Sequence, residues 1–298
     1  MAKKNVGGSD VKKLEEMMWA FERDHSVDIT TAFNGLLDYI IGYFDPTGQP
    51  IEGWKFNKQQ NADFHAMMYE YMQTMDRMLE TREWFDAWGD LFMCLYANGA
   101  GKEQFFTPMS LVEVMTKACI PNDLGEPTLR CGSFGKRHAI SDPACGSSRN
   151  LLAGHLAYQK AYNRNAYLSG EDLDSTCCKM SAVNMMMHGC FGEVVCHNTL
   201  TEPDVVRAGY IINETMYPIP TPIPSIRRST NPHDFVCTSA MLDAKARREQ
   251  SQECVSDCCK ATPDSHSDTV QPKGMEKQEM LHTEDVKKPK QPQQLTLW

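Results

Sequence analysis

The chain has 298 residues, enough for one large domain or two smaller ones, and carries a formal net charge of −9 at pH 7. A hydrophobic share of 41% supports a packed core, and no apolar run is long enough to span a membrane. The negative balance excludes a protein that coats nucleic acid through a basic surface, while leaving DNA binding in a local cleft open.

The start, Met1-Ala2-Lys3-Lys4-Asn5, has no apolar signal core behind it, so a cytoplasmic protein is expected. The 12 cysteines are scattered, and several sit among core-type residues, so reduced thiols are expected rather than a disulfide framework. From Val11 the pattern becomes helical, with Leu14, Met17, Met18 and Phe21 on one side and Lys12, Lys13, Glu15 and Glu16 on the other. A second helix is predicted from an Asp28 cap to Phe44, stopped by the turn Asp45-Pro46-Thr47-Gly48. A third, from about Asn61 to Glu80, carries the stripe Phe64, Met67, Met68, Tyr71, Met75, Met78 and Leu79. That stripe reads as bundle core, with an adaptable methionine-rich partner surface as the alternative. A fourth helix, Glu83 to Tyr96, ends at Asn98-Gly99-Ala100-Gly101. Residues 1–100 thus read as a helical module.

The segment Gly101-Lys102-Glu103-Gln104-Phe105-Phe106-Thr107-Pro108 leads into a helix predicted over Ser110 to Ala118. Taken alone it is an ordinary helix entry, with Thr107 as cap, Pro108 at the first helical position and an aromatic staple. Residues 122–138 read as a loop. The stretch Ile140-Ser141-Asp142-Pro143-Ala144-Cys145-Gly146-Ser147-Ser148 then reads as the end of a buried strand, a tight turn and a helix start. Small residues let a ligand approach the backbone, Gly146 frees the turn, and Ser147 or Ser148 can cap the helix from Asn150 to Tyr162. Such a unit points backbone N–H groups at a nucleotide-like ligand.

A second strand, Ala166 to Leu168 and beyond, ends in Gly170-Glu171-Asp172-Leu173-Asp174. An acid at that tip accepts hydrogen bonds from ribose hydroxyls, with Glu171 the first choice and Asp172 the next. The same acids can instead cap the helix predicted over Ser175 to His188. A third strand, Gly192 to Leu200, exits through His197-Asn198-Thr199. Strand–helix–strand–helix–strand implies parallel pairing and half of a doubly wound α/β sheet. Beyond Leu200 the order fades. Tyr217 to Pro224 alternates proline, and Asn231 to Cys237 offers one more short strand. From about Asp243 the composition is that of a disordered tail.

Three segments in this order resemble the adenine-N6 DNA methyltransferases, specifically the modification subunits of type I restriction systems. The resemblance covers roughly residues 10–200. Phe105-Phe106-Thr107-Pro108 is similar to the family's pocket segment, Asp142-Pro143-Ala144-Cys145-Gly146-Ser147 to its cofactor loop, with Ser148 in place of the usual last glycine. Gly170-Glu171-Asp172 resembles its ribose-binding acid, and His197-Asn198-Thr199-Leu200 the segment that meets the cofactor's adenine through Asn198. The resemblance implies a helical module (1–100), then a Rossmann-like S-adenosylmethionine-dependent methyltransferase domain (101–240, with an incomplete sheet), then a tail (241–298). It also implies DNA as a partner, together with a specificity or completing subunit.

The family's catalytic segment is Asn/Asp/Ser-Pro-Pro-aromatic, and this sequence contains no Pro-Pro pair. The nearest candidate is Asn231-Pro232-His233-Asp234-Phe235, with Asn231 to hold the target amine and Phe235, displaced by one residue, to stack on the base. The resemblance therefore implies either a methyltransferase acting on adenine N6 in DNA or an impaired, truncated relative that binds cofactor, DNA or protein. The final Gln294-Leu295-Thr296-Leu297-Trp298 resembles the bacterial sliding-clamp binding peptide, with Gln294, Leu295, Leu297 and Trp298 as its contacts. Cys254, Cys258 and Cys259 with His266 and His282 fit no standard zinc spacing, so no metal is expected.

Overall fold

The computed structural model describes residues 9–96, 106–121, 123–131, 135–202, 204–214, 223–247 and the backbone of 294–296. Four helices open the chain, and their bounds follow their caps. α1 (Lys12–His25) buries Leu14, Met18 and Phe21. α2 (Ile29–Tyr43) starts where the Asp28 carboxylate accepts the Thr31 N–H at 2.9 Å. α3 (Lys58–Leu79) begins three residues before the start expected at Asn61 because Asn57 and Gln60 form a reciprocal capping box. α4 (Ala87–Tyr96) begins later than its pattern suggests, since the Asp86 carboxylate takes the Gly89 N–H at 2.7 Å. Tyr71, Trp88 and Phe33 interlock these helices, with Tyr71 and Trp88 ring centroids 4.7 Å apart.

α5 (Met109–Cys119) follows Pro108, which occupies the capping position without a side-chain bond; Thr107 is not the cap. The predicted loop after it contains a small hairpin, β1 (Leu129–Arg130) against β2 (Lys136–Arg137). The main sheet then runs β3 (Ala139–Asp142), α6 (Arg149–Tyr162), β4 (Tyr167–Asp172), α7 (Ser175–Met187) and β5 (Phe191–Cys196). β3, β4 and β5 pair in parallel. α6 and α7 cover one sheet face, so this is the expected half of a doubly wound fold.

Two strands follow in the region beyond Leu200, where the sequence pattern is weak. β6 (Ala208–Ile212) lies antiparallel to β5, and β7 (Ile226–Ser229) antiparallel to β6. Asn213, at φ 57°, turns the chain between them, donating to Cys190 O at 2.8 Å and accepting from Ser225 N at 3.0 Å. The last strand, β8 (Gln294–Thr296), pairs in parallel with β3 on its other side. The full order is β7-β6-β5-β4-β3-β8. Three residues of the clamp-like peptide, Gln294, Leu295 and Thr296, thus lie in β8; Leu297 and Trp298 fall outside the described residues.

Residues 231–237 are not a strand. Asn231 caps a 3-10 turn (Pro232–Asp234), and a helix, α8, covers residues 236–247. The cause is Glu193 on β5, fully buried, whose carboxylate accepts the N–H groups of Val236 at 2.6 Å, Cys237 at 2.9 Å and Thr238 at 3.4 Å. A carboxylate at a helix N-terminus satisfies donors the helix cannot.

The helical part and the sheet share one apolar core. α7 is wedged between them, with Met180, Val183 and Met185 buried. Polar bonds pin the seam: Thr176 Oγ1 to Asn34 at 3.1 Å, Lys179 to Asp38 at 2.8 Å, and Arg228 of β7 to the buried Asp45 at 2.7 Å. The proposed module boundary at residue 100 falls outside the described residues.

Candidate cofactor site

β3 ends on Asp142, which is fully buried. Its carboxylate accepts the Ala144 N–H at 3.0 Å and the Asn150 side-chain amide at 3.3 Å, folding the turn back over the strand tip. The Cys145 N–H donates to Glu171 O at 2.9 Å, tying the turn to β4. Gly146 sits at φ 54°, and a Cβ there would lie 2.9 Å from the Phe106 ring. Both the left-handed backbone and the aromatic contact require glycine. Ser148 is also left-handed, at φ 74°, and makes no side-chain cap.

A cavity of 330 Å³ opens beside this turn. Of the residues expected from sequence, it gathers Phe106, Thr107, Ala144, Cys145, Gly146, Ser147 and Asp172. Sequence reasoning missed Arg149, Asn150 and Cys177, which complete the lining. The signal for the first two was at hand, since they directly follow the small-residue turn at the head of its helix. Phe105 lies outside the described residues, and Pro108 belongs to the entry of α5.

Asp172 faces the cavity, accepting the Gly146 N–H at 3.0 Å and the Asp174 N–H at 2.9 Å. Burial raises its pKa, against the pull of those N–H donors. Glu171 is on the opposite sheet face, as strand alternation demands. There its carboxylate takes His197 Nε2 at 3.0 Å and Thr199 Oγ1 at 2.7 Å. Asn198 is outside the cavity lining, its side chain accepting from Leu200 N and Thr201 N, both at 3.2 Å. Arg149 presents no free charge to the cavity. Its guanidinium bonds Asp86, Asp90 at 2.5 Å and Thr107 O at 3.3 Å, and lies 5.5 Å from the Phe106 ring centroid. Asp90 is in turn pushed up to about 6 by burial and by the nearby Asp86 charge.

The two catalytic candidates are not brought to this cavity. Asn231 accepts from His233 N at 3.1 Å and donates to Asp234 at 3.2 Å, serving as a local cap. Phe235 is fully buried against Val195 and Ile211. Both follow β7, four strands from β3, which is about 19 Å at the usual strand spacing. Among the described residues no group of three or more His, Cys, Asp or Glu is arranged to hold a metal.

A glycine turn between parallel strand and helix, with an acid at the next strand's tip, defines a nucleotide-cofactor-binding α/β protein. Residues 82–219 match the N-6 DNA Methylase family model. No curated protein sequence matches the chain. One similar solved structure is a Listeria monocytogenes protein described as a class I S-adenosylmethionine-dependent methyltransferase. It has 13% identity and a TM-score of 0.37, over 66% of this chain and 56% of that one. Another is a type I restriction-modification methyltransferase subunit of Streptococcus thermophilus, with 17% identity and a TM-score of 0.31, over 67% of this chain and 42% of that one. The chain therefore spans about half the length of these two proteins.

S-adenosylmethionine is the cofactor expected of this family. The residues present fit it. Asn150 lines the cavity, and its Oδ1 is buried with no hydrogen-bond partner among the described residues, which leaves an acceptor for a ligand donor. Asp172 adds a second acceptor, Phe106 an apolar wall, and the only cation in the lining is neutralised by two carboxylates. A ligand with hydroxyl donors, a flat base and a cationic sulfonium suits that set.

Proposed function

We propose that this chain binds S-adenosylmethionine between Phe106, the Asp142–Ser148 turn and Asp172, and serves methyl transfer to adenine N6 in DNA. The observation that carries the reading is the cavity at the ends of β3 and β4, where a glycine turn, an aromatic wall and two acceptors converge. Asp172 is the ribose acceptor in this reading, and Glu171 supports the strand tip from behind. Bound there, the cofactor supplies an electrophilic methyl group. The adenine amine is a poor nucleophile and hidden in the duplex, so the base must be flipped out and its amine held by acceptors. In this reading the acceptors are groups other than Asn231, and the stacking ring is one other than Phe235. DNA and a specificity or completing subunit are the proposed partners. The clamp-like peptide is a separate proposal, and docking it elsewhere requires β8 to leave β3.

A second reading, cofactor or DNA binding without transfer, is favoured by one observation: Phe235 is core and Asn231 is a cap. Calorimetry with S-adenosylmethionine followed by tritiated methyl transfer to DNA separates the two. Binding with label on adenine supports the first reading, binding without label the second, and no binding removes both.

A further inference from the structure

We propose that Asp86, at the head of α4 in the helical part, is the positioning residue of the cofactor turn. Its side chain is completely buried, and each oxygen takes two donors. Oδ2 accepts from Ser147 Oγ at 2.5 Å and from Arg149 Nε. Oδ1 accepts from the Gly89 N–H at 2.7 Å and from Asn184 Nδ2 of α7 at 2.7 Å. Asn184 Nδ2 also donates to Ser147 O at 2.9 Å, so Ser147 is gripped at side chain and backbone. No other side chain fits in this space: a Cβ on Gly89 would lie 2.0 Å from Asp86 Oδ2 and 2.7 Å from Ser147 Oγ.

Ser147 is flanked by the two left-handed residues of the turn, Gly146 at φ 54° and Ser148 at φ 74°. A left-handed serine costs about 1–2 kcal/mol and persists only where its surroundings over-determine it. Asp86 supplies that hold from 61 residues upstream. It also sets Arg149, which crosses the Phe106 ring and bonds Thr107 O, and so fixes the aromatic wall relative to the turn. The shape of the cofactor cavity is therefore set from the helical part, and docking of that part and cofactor affinity are linked. The link to cofactor rests on the function proposed above; the hold on the turn does not.

The test compares the full-length wild type with Asp86→Asn, with Ser147→Ala, which leaves every charge paired, and with Met18→Ala, a core truncation in α1 remote from the turn. Hydrogen–deuterium exchange of the 144–150 amides is read without ligand, and S-adenosylmethionine affinity by calorimetry. Asp86→Asn is expected to raise both exchange and Kd about tenfold or more, and Ser147→Ala several-fold, at the strength of charge-assisted hydrogen bonds. Met18→Ala is expected to lower Tm without either change. Asp86→Asn combined with Arg149→Met and with Asp90→Asn, the other carboxylate that Arg149 pairs, is expected to recover Tm, since no buried charge is stranded, but not the protection of the turn. The proposal is overturned if exchange in both turn variants stays within about twofold of wild type, if Met18→Ala moves it equally, or if the triple variant restores protection along with Tm. Exchange that responds as expected in a wild type that binds no cofactor upholds the hold on the turn and removes the cofactor reading instead.

Discussion

Replacing Phe235 with alanine separates a core role from a base-stacking role. The ring is fully buried and packs on Val195 and Ile211, with Val206 beside it. It also lies on bare backbone, since a Cβ on Gly209 would come within 2.2 Å of the ring. Truncating a buried phenylalanine costs about 3–5 kcal/mol, depending on how far the site collapses. Collapse is limited here because β6 is hydrogen-bonded to strands on both sides, β5 and β7. The cost is therefore placed in the upper half of that range, about 4–5 kcal/mol. At roughly 2–4 °C per kcal/mol for a chain of this size, Tm should fall by about 8–20 °C. Phe235→Leu keeps most of the volume and should cost under about 1.5 kcal/mol. Urea unfolding and scanning calorimetry measure both variants. Because the ring does not line the cavity, S-adenosylmethionine affinity below the new Tm should stay within about twofold of wild type. A ring that stacked on a flipped base would behave in the opposite way, with stability kept and transfer lost. A loss of less than about 1 kcal/mol in Phe235→Ala refutes the core assignment.

Three other perturbations follow from the same geometry. Asp172→Asn cannot accept both the Gly146 and Asp174 N–H groups and still serve a ligand, so cofactor Kd should rise about 10–100-fold; Glu171→Gln, on the far face, should change it less than about threefold, and equal effects would reverse the two roles. Gly146→Ala forces a left-handed alanine against the Phe106 ring, and calorimetry should show weakened cofactor binding with a stability loss of about 1–2 kcal/mol. Burial pushes the Glu193 carboxyl up from 4.5 to about 7, opposed by Tyr167 and the N–H groups of α8. The folded state therefore holds this proton more tightly than the unfolded state. The contribution is full below pH 4.5 and is lost as pH rises through about 7, a swing of about 3 kcal/mol. Urea unfolding of Glu193→Gln across that range should lack this part of the slope, and identical slopes in the two proteins would exclude Glu193 as its source.

The helices were legible because burial in them follows one period. The Leu14–Met18–Phe21 and Phe64–Met67–Met68–Tyr71 stripes are core, and the Asp28 cap is where the sequence places it. β7 was not legible because its polar character is satisfied outside the strand. Arg227 pairs with Glu214 at 2.7 Å and Arg228 with Asp45, so a run of Ile-Arg-Arg-Ser pairs as a strand without an apolar pattern. The helix at 236–247 hides for a related reason, since its N-terminal N–H groups are satisfied by Glu193, a residue 43 positions earlier for Val236.

In the site, the turn could be read locally because small residues and glycine answer to local backbone needs. The choice between Glu171 and Asp172 could not be made from type alone, as both are acids at a strand tip. Parity decides it. Gly170 faces Cys145 and Leu151 on the α6 side, so Asp172, two residues on, shares that face and Glu171 does not. Of the cavity residues missed from sequence, Asn150 bonds Asp142 within the same strand–turn–helix unit, whereas Arg149 is set by Asp86, a partner from another element of the fold.

Geometry also constrains where an acceptor base can be held. The donor cavity lies at the ends of β3 and β4, so a base receiving a methyl group must come within bonding reach of that point. Asn231 follows β7, about 14 Å from β4 and 19 Å from β3 at the usual strand spacing. No asparagine side chain spans such a gap, and Asn231 is in addition engaged by His233 and Asp234. Moving it there would mean unpairing β6 and β7 and pulling Phe235 from the core, at a cost that begins with the 4–5 kcal/mol of that one ring. In the methyltransferase reading, the groups that hold the adenine amine are therefore not those that follow β7, which lies at the sheet edge opposite the one beside β3.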